Sequence, residues 1–179
     1  MKVKTNSRWV AKVVAIGLVT SMIFTLASTH ILGSVGYVMA FILLLAFILL
    51  GIIFDLVGVA VTAADVAPLH AKAAHREKGA AEAVKLIKNA EKVSSVCNDV
   101  VGDISSIVSG STAALITARL MMDFSTENML VQMSVSAFAT ALTIGGKAVG
   151  KTVALNSSTA IILRVGKIIN FISGLFRKR

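Results

Sequence analysis

Apolar positions along this chain cluster in long blocks, and polar positions gather between the blocks or at helical spacing inside them. The block from Gly36 to Asp65 is the plainest. It opens as a lipid-soluble run and then acquires Asp55, Gly58 and Thr62 at helical spacing while still apolar. A helix needs about 20 apolar residues to cross a bilayer core. This block predicts a spanning helix from Gly36 to Ala64, longer than a straight crossing needs, so that it tilts or emerges.

The other blocks follow the same logic. Trp9 to Leu32 is an apolar run after the basic residues Lys2, Lys4, Arg8 and Lys12. That layout also fits a signal peptide cleaved near Ala27-Ser28-Thr29. The run continues through Ile31 and Leu32, which favours an uncleaved first span. Gly33-Ser34-Val35-Gly36 predicts a tight turn. From Val93 to Met121 a third span carries Asn98, Gly102, Ser105 and Ser109 on one face and Asp99, Asp103, Ser106 and Gly110 on another. Small and polar faces inside a membrane line cavities or helix contacts. The fourth span starts at Met129 and is predicted to end near Ile144, because Gly145, Gly146 and Gly150 follow.

Two segments are amphipathic rather than continuously apolar. Residues 66–91 follow the break at Pro68, with Ala80, Ala83, Val84 and Ile87 opposite Lys78, Glu82, Lys85 and Lys88. They predict a juxtamembrane helix, lying along the membrane or serving as a solvated connector. Residues 158–176 repeat Ile161, Val165, Ile168, Ile172 and Leu175 against Arg164, Lys167 and Asn170. They predict a second interfacial helix. The expected fold is an all-α membrane protein with four spanning helices and juxtamembrane amphipathic helices. Residues 1–34 form an additional N-terminal span and residues 35–179 the main transmembrane domain.

Composition agrees: 56% of the 179 residues are hydrophobic and only 15% charged, with a mean hydropathy of +0.84. The net charge of +9 would raise nucleic acid as a partner in a soluble protein. Here every basic residue except Arg119 falls in the N-terminus, the 65–92 segment or the C-terminal third. Four spans put those regions on one side, which predicts a multi-pass protein of the cell membrane with cytoplasmic N- and C-termini. The lipid bilayer is then the expected partner and nucleic acid is not. Cys97 is the only cysteine and His30, His70 and His75 are scattered, so neither a disulfide nor a zinc site is expected. With no nucleophile–base pattern either, the chain is not expected to be an enzyme.

The candidate chemistry lies in the spans. Asp55, Asp99, Asp103 and Lys147 are all expected in the inner half of the membrane, and intramembrane charges need partners. Two readings stand side by side. The carboxylates, with the hydroxyls of Thr62, Ser105 and Ser106, form an oxygen-rich site for a hard cation such as Mg²⁺ or Na⁺. Alternatively, Lys147 pairs with Asp55 or Asp103 and locks the helices together.

Three stretches resemble the transmembrane domain of the CNNM/CorC/CorB family of magnesium transporters. They are FDLVGVAVTAADVAPLHAKAAHREKGAAEAVKLIKN (54–89), VSSVCNDVVGDISSI (93–107) and TIGGKAVGKTVALNSSTAIILRVGKI (143–168). The last is similar to the family's Gly-Glu-x-x-Pro-Lys-x-x-Ala-Leu pattern, including Lys151, Ala154 and Leu155. The resemblance implies a homodimer, Mg²⁺ export coupled to Na⁺, and an ion site of serine, asparagine and glutamate. It also marks departures. The family's Ser-Gly pair falls on Asp55-Leu56. Its Gly-Asn pair falls best on Gly102-Asp103, with Asn98-Asp99 as a second placement. Its Gly-Glu falls on Gly146-Lys147 and its proline on Gly150. Asp55 and Asp103 are then the carboxylates expected to touch a metal, while Lys147 stands where an acidic ligand is expected. No CBS domain follows in this sequence, so a separate cytosolic regulatory protein is an expected partner. A non-transporting scaffold or regulator is the alternative function.

Overall fold

The computed structural model describes residues 11, 14–23, 25–26, 36–124 and 129–177. Among these the chain is helical, with no strand. The helices are α1 (Val14–Ile23), α2 (Tyr37–Ala63), α3 (Val66–Ala74), α4 (Ala80–Lys88), α5 (Ala90–Ser95), α6 (Asp103–Asp123) and α7 (Met129–Arg177). A π-helical segment, Val96–Gly102, joins α5 to α6 without a break. Three stretches are long and apolar enough to cross a membrane: Tyr37–Ala63, Ala90–Asp123 and Met133–Leu175. Of the first expected span, residues 11, 14–23 and 25–26 are described, with α1 a shorter apolar helix than the three; the turn at Gly33-Ser34-Val35 lies outside the described residues.

α2 shows why a membrane is the natural solvent. Val38, Ile42, Leu49 and Ile53 are each more than half exposed, on a helix with no charge before Asp55. Its opposite stripe, Ala40, Leu44, Ile48, Gly51, Asp55, Gly58 and Val61, is buried. The spacing of three and four is that of a helix–helix seam.

The chain divides into two compact units. The first takes α2 through Ile52, residues 100–123 and α7 through Gly146. Its core joins Ala40, Leu44 and Ile48 to Ala113 and Ile116 of α6 and Ala139 of α7. Phe47 packs on Val100, Ile104 and Val108. Two close approaches tighten it. A Cβ on Gly51 would lie 3.2 Å from Ser105 Cβ, and one on Gly146 would lie 2.2 Å from Ile52 Cδ1. The Tyr37 hydroxyl donates to the Asp123 carboxylate.

The second unit takes the end of α2, α3 to α5, the start of the π segment and α7 from Lys147. Its core collects Ala60 and Val61, Leu69 of α3, Ala80, Ala83 and Val84 of α4, and Ala154, Ile162 and Leu163 of α7. Asp65 caps α3, its Oδ1 accepting the Ala67 amide at 3.1 Å. Pro68 therefore falls in the first turn, where a missing N–H costs nothing.

Here the structure departs from the expected elements. The 66–91 segment is three short helices rather than one. Arg76 and Gly79 take positive φ in the link after α3, and Asn89 breaks α4 from α5 with φ −116°. The apolar face at Ala80, Ala83 and Val84 packs into the protein, so lipid need not cover it. α7 also passes through Gly145, Gly146 and Gly150, where the sequence predicts an end. Each helical glycine costs about 1 kcal/mol against alanine. Without water, however, intrahelical partners are the ones within reach of the backbone, and Gly146 gains its close contact with Ile52.

The irregularity in α7 falls at Ser157 instead, with φ −132° and ψ 24°. The bend serves the end of α2. Ser158 Oγ donates to the Ala63 carbonyl at 3.2 Å, and the Asp65 amide donates to Thr159 Oγ1 at 3.4 Å. Helix ends leave orphan backbone groups, and two neighbouring hydroxyls supply partners on each side of the α2–α3 junction. Beyond the bend, Ser158, Ile162 and Gly166 are buried. The predicted stripe of Ile168, Ile172 and Leu175 remains exposed.

Gly79 and Gly166 decide that packing. A Cβ on Gly166 would meet the Gly79 carbonyl oxygen at 2.3 Å and the Ala83 nitrogen at 2.9 Å, all backbone atoms. Beside this crossing Glu77 accepts Lys72 Nζ at 3.0 Å and Lys167 Nζ at 2.9 Å. Asn170 Nδ2 donates to Glu82 Oε1 at 3.2 Å. The hydrogen bond from Lys167, then that from Lys72, holds the Glu77 carboxyl below its ordinary value of 4.5.

Gly166→Ala should destabilise the detergent-solubilised chain by about 1–3 kcal/mol through overpacking. Gly145→Ala, with nothing within 4 Å of the new Cβ, should leave the thermal midpoint unchanged or raise it. For Glu77, a folded-state pKa below the unfolded one means its stabilisation is present above 4.5 and fades as pH falls through the lowered value. The midpoint difference between the native chain and Glu77→Gln should therefore shrink on titration from pH 7 to below 4.5, and shrink with added salt as an exposed pair does.

Candidate functional site

Asp55 sits on the buried seam of α2, one turn after Gly51 and one turn before Gly58. It is 7% exposed, and its Oδ2 has no hydrogen-bond partner. A buried carboxylate oxygen without a donor is costly in any protein and more so within a membrane span.

The residue opposite this part of the seam is Asn98. A Cβ on Gly58 would lie 1.9 Å from Asn98 Oδ1 and 2.6 Å from its Cγ. The Asn98 amide thus occupies the space that a side chain at position 58 would need. Its Nδ2 donates to Ser94 Oγ at 3.3 Å, while its Oδ1 is buried and accepts nothing. Two acceptor oxygens, Asp55 Oδ2 on α2 and Asn98 Oδ1 on the π segment, are therefore orphaned in the same unit. No protein donor is spent on either.

Asn98 owes its position to the π segment. A π turn inserts an extra residue into the helical register, and such bulges recur at functional sites. Asp99, next along, is exposed and accepts Ser95 Oγ at 2.7 Å through its Oδ2. Of the two polar faces expected on this helix, Gly102, Ser105 and Ser109 are buried while Asp99, Asp103 and Gly110 are exposed.

The remaining expected site residues divide by what their polar atoms do. Thr62 is exposed and its hydroxyl donates to the Val59 carbonyl at 2.9 Å. Ser106 Oγ donates to the Gly102 carbonyl at 2.8 Å. Both follow the habit of helical hydroxyls, which bond to the preceding turn. Asp103 and Ser106 belong to the first unit, Asp55, Thr62, Asp99 and Lys147 to the second. Lys147 is half-buried, and neither ion pair among the described residues includes it. Among those residues no three His, Cys, Asp or Glu side chains gather as a metal-binding group. An ion held near Asp55 would therefore rest on amide, hydroxyl, backbone or water oxygens beside that carboxylate.

Asn98 is the residue that reasoning from sequence underweighted. Its signal was present: an amide at helical spacing from Gly102 and Ser105 on the small, polar face of a span. What the sequence does not carry is the glycine at position 58 as its seat. No family model, curated protein or solved structure matches this chain.

Proposed function

We propose that the chain is a multi-pass protein of the cell membrane that holds a hard cation, Mg²⁺ or Na⁺, at Asp55 and Asn98, and that it acts as a divalent-cation transporter of the CorC-like type. One observation carries this reading: the buried Asp55 Oδ2 and Asn98 Oδ1 both lack donors. A carboxylate and an amide carbonyl are the oxygen ligands such ions take, and Mg²⁺ keeps several waters of its own. Asp55 would supply the charge and Asn98 a neutral oxygen. Asp99 and Asp103, exposed on a spanning helix, favour a homodimer whose second copy or enclosed water covers them, since lipid would not. The basic segments favour cytoplasmic termini.

The second reading is a non-transporting scaffold or regulator in which the Lys147 ammonium takes the cation's place beside Asp55. Its support is the half-buried lysine without an ion pair.

The two readings separate on ion-dependent stability. If Asp55 and Asn98 hold Mg²⁺, saturating Mg²⁺ should raise the stability of the purified chain by about 2.7 kcal/mol at a hundredfold excess over Kd, seen as a higher thermal midpoint. Asp55→Asn should abolish that rise while leaving the ion-free protein as stable or more so, because a buried charge is removed. Reconstituted proteoliposomes should then show Mg²⁺ or Na⁺ flux that Asp55→Asn stops. A native chain with neither shift nor flux, but with Lys147→Glu newly stabilised by Mg²⁺, would sink the transporter reading and establish the tethered lysine.

A further inference from the structure

The C-terminal arm of α7 and the link between α3 and α4 enclose a groove of about 500 Å³, lined by Lys78, Lys167, Asn170, Phe171, Gly174 and Leu175. Its chemistry changes along its length. Next to the Gly79–Gly166 crossing it is lined by Lys78, Lys167 and Asn170. Further along the arm stand Phe171 and Leu175, 72% and 66% exposed, with no side chain at Gly174 to fill the space between them.

We propose that this groove is a binding site for one anionic phospholipid, its phosphodiester on Lys78 and Lys167 and an acyl chain along Phe171 and Leu175. Charge complementarity selects the headgroup. Glu77 is already shared between Lys72 and Lys167, and Glu82 accepts from Asn170. Lys78 has no ion pair among the described residues. Lys72, Lys78 and Lys167 against Glu77 and Glu82 leave this corner net positive. The apolar half selects a lipid over a soluble anion, because it continues into Ile168 and Ile172, which are also exposed. A surface of that kind at the end of an amphipathic arm belongs at the boundary between headgroups and hydrocarbon, and basic pockets on the cytoplasmic side of spans take anionic headgroups. The site rests on the membrane placement proposed above and not on the cation.

Native mass spectrometry of the detergent-extracted full chain tests it, with phosphatidylglycerol, phosphatidylcholine and inorganic phosphate as probes. Phosphatidylglycerol should be retained as a single adduct and phosphatidylcholine should not. Lys78→Gln should weaken retention about fivefold, the effect of one lysine beside an anionic surface, and Lys78→Arg should restore it. Gly174→Leu, which fills the apolar half without touching charge, should also reduce retention. Equal retention of the two lipids, displacement by inorganic phosphate, or native-like binding by both Lys78→Gln and Gly174→Leu would overturn the lipid site. Recovery of the chain without detergent would instead overturn the membrane placement. A Mg²⁺-induced midpoint shift should survive Lys78→Gln, which keeps this test separate from that of the cation.

Discussion

The buried seam of α2 is the constraint around which the chain is arranged. A helix as apolar as this one has hydrocarbon for most of its surface, and lipid tails give two such helices little reason to associate. Association must come from close packing, so the seam alternates bulk with absence: Leu44 and Ile48, then Gly51, then Gly58. Each glycine admits a neighbouring helix, Ser105 against Gly51 and Asn98 against Gly58. Asp55 stands between the two glycines on this stripe. A carboxylate there gives up close packing, and its buried Oδ2 has no donor, which is what the proposed cation site rests on.

A second constraint is the backbone itself. Away from water, each amide and carbonyl left over at a helix end must find a partner within the protein. The bend at Ser157 is explained by that need. Ser158 and Thr159 reach the last carbonyl of α2 and the amide of Asp65, so α7 gives up regularity at one point to complete the ends of two other helices. The hydroxyls of Ser106, Thr117 and Thr143 do the reverse and bond to their own helix.

α2 was legible to within a residue at each end, because an uninterrupted apolar run closes on Asp65-x-x-Pro. The breaks within 66–91 were less so. Gly79 is a visible candidate, but Arg76 at positive φ carries no local signal. α7 misled in both directions. Three glycines look like an ending, yet the helix runs through them and Gly146 packs closely on Ile52, while the actual bend contains neither glycine nor proline and depends on a junction 95 residues away in sequence. In the C-terminal arm Ile162, Leu163 and Gly166 pack inward, and the expected interfacial stripe of Ile168, Ile172 and Leu175 is exposed. At the candidate site Asp55 could be found from sequence, as any acid in an apolar run can. The orphaned oxygen of Asn98 could not, because its isolation depends on what faces it.

The π segment has one more effect, on phase. Between Val96 and Gly102 the helix takes up more residues per turn than an α-helix does. Side chains of α5 and of α6 therefore obey the same 3.6-residue rhythm but count it from different origins. A ruler of uniform period laid along 90–123 can match one flank or the other, never both.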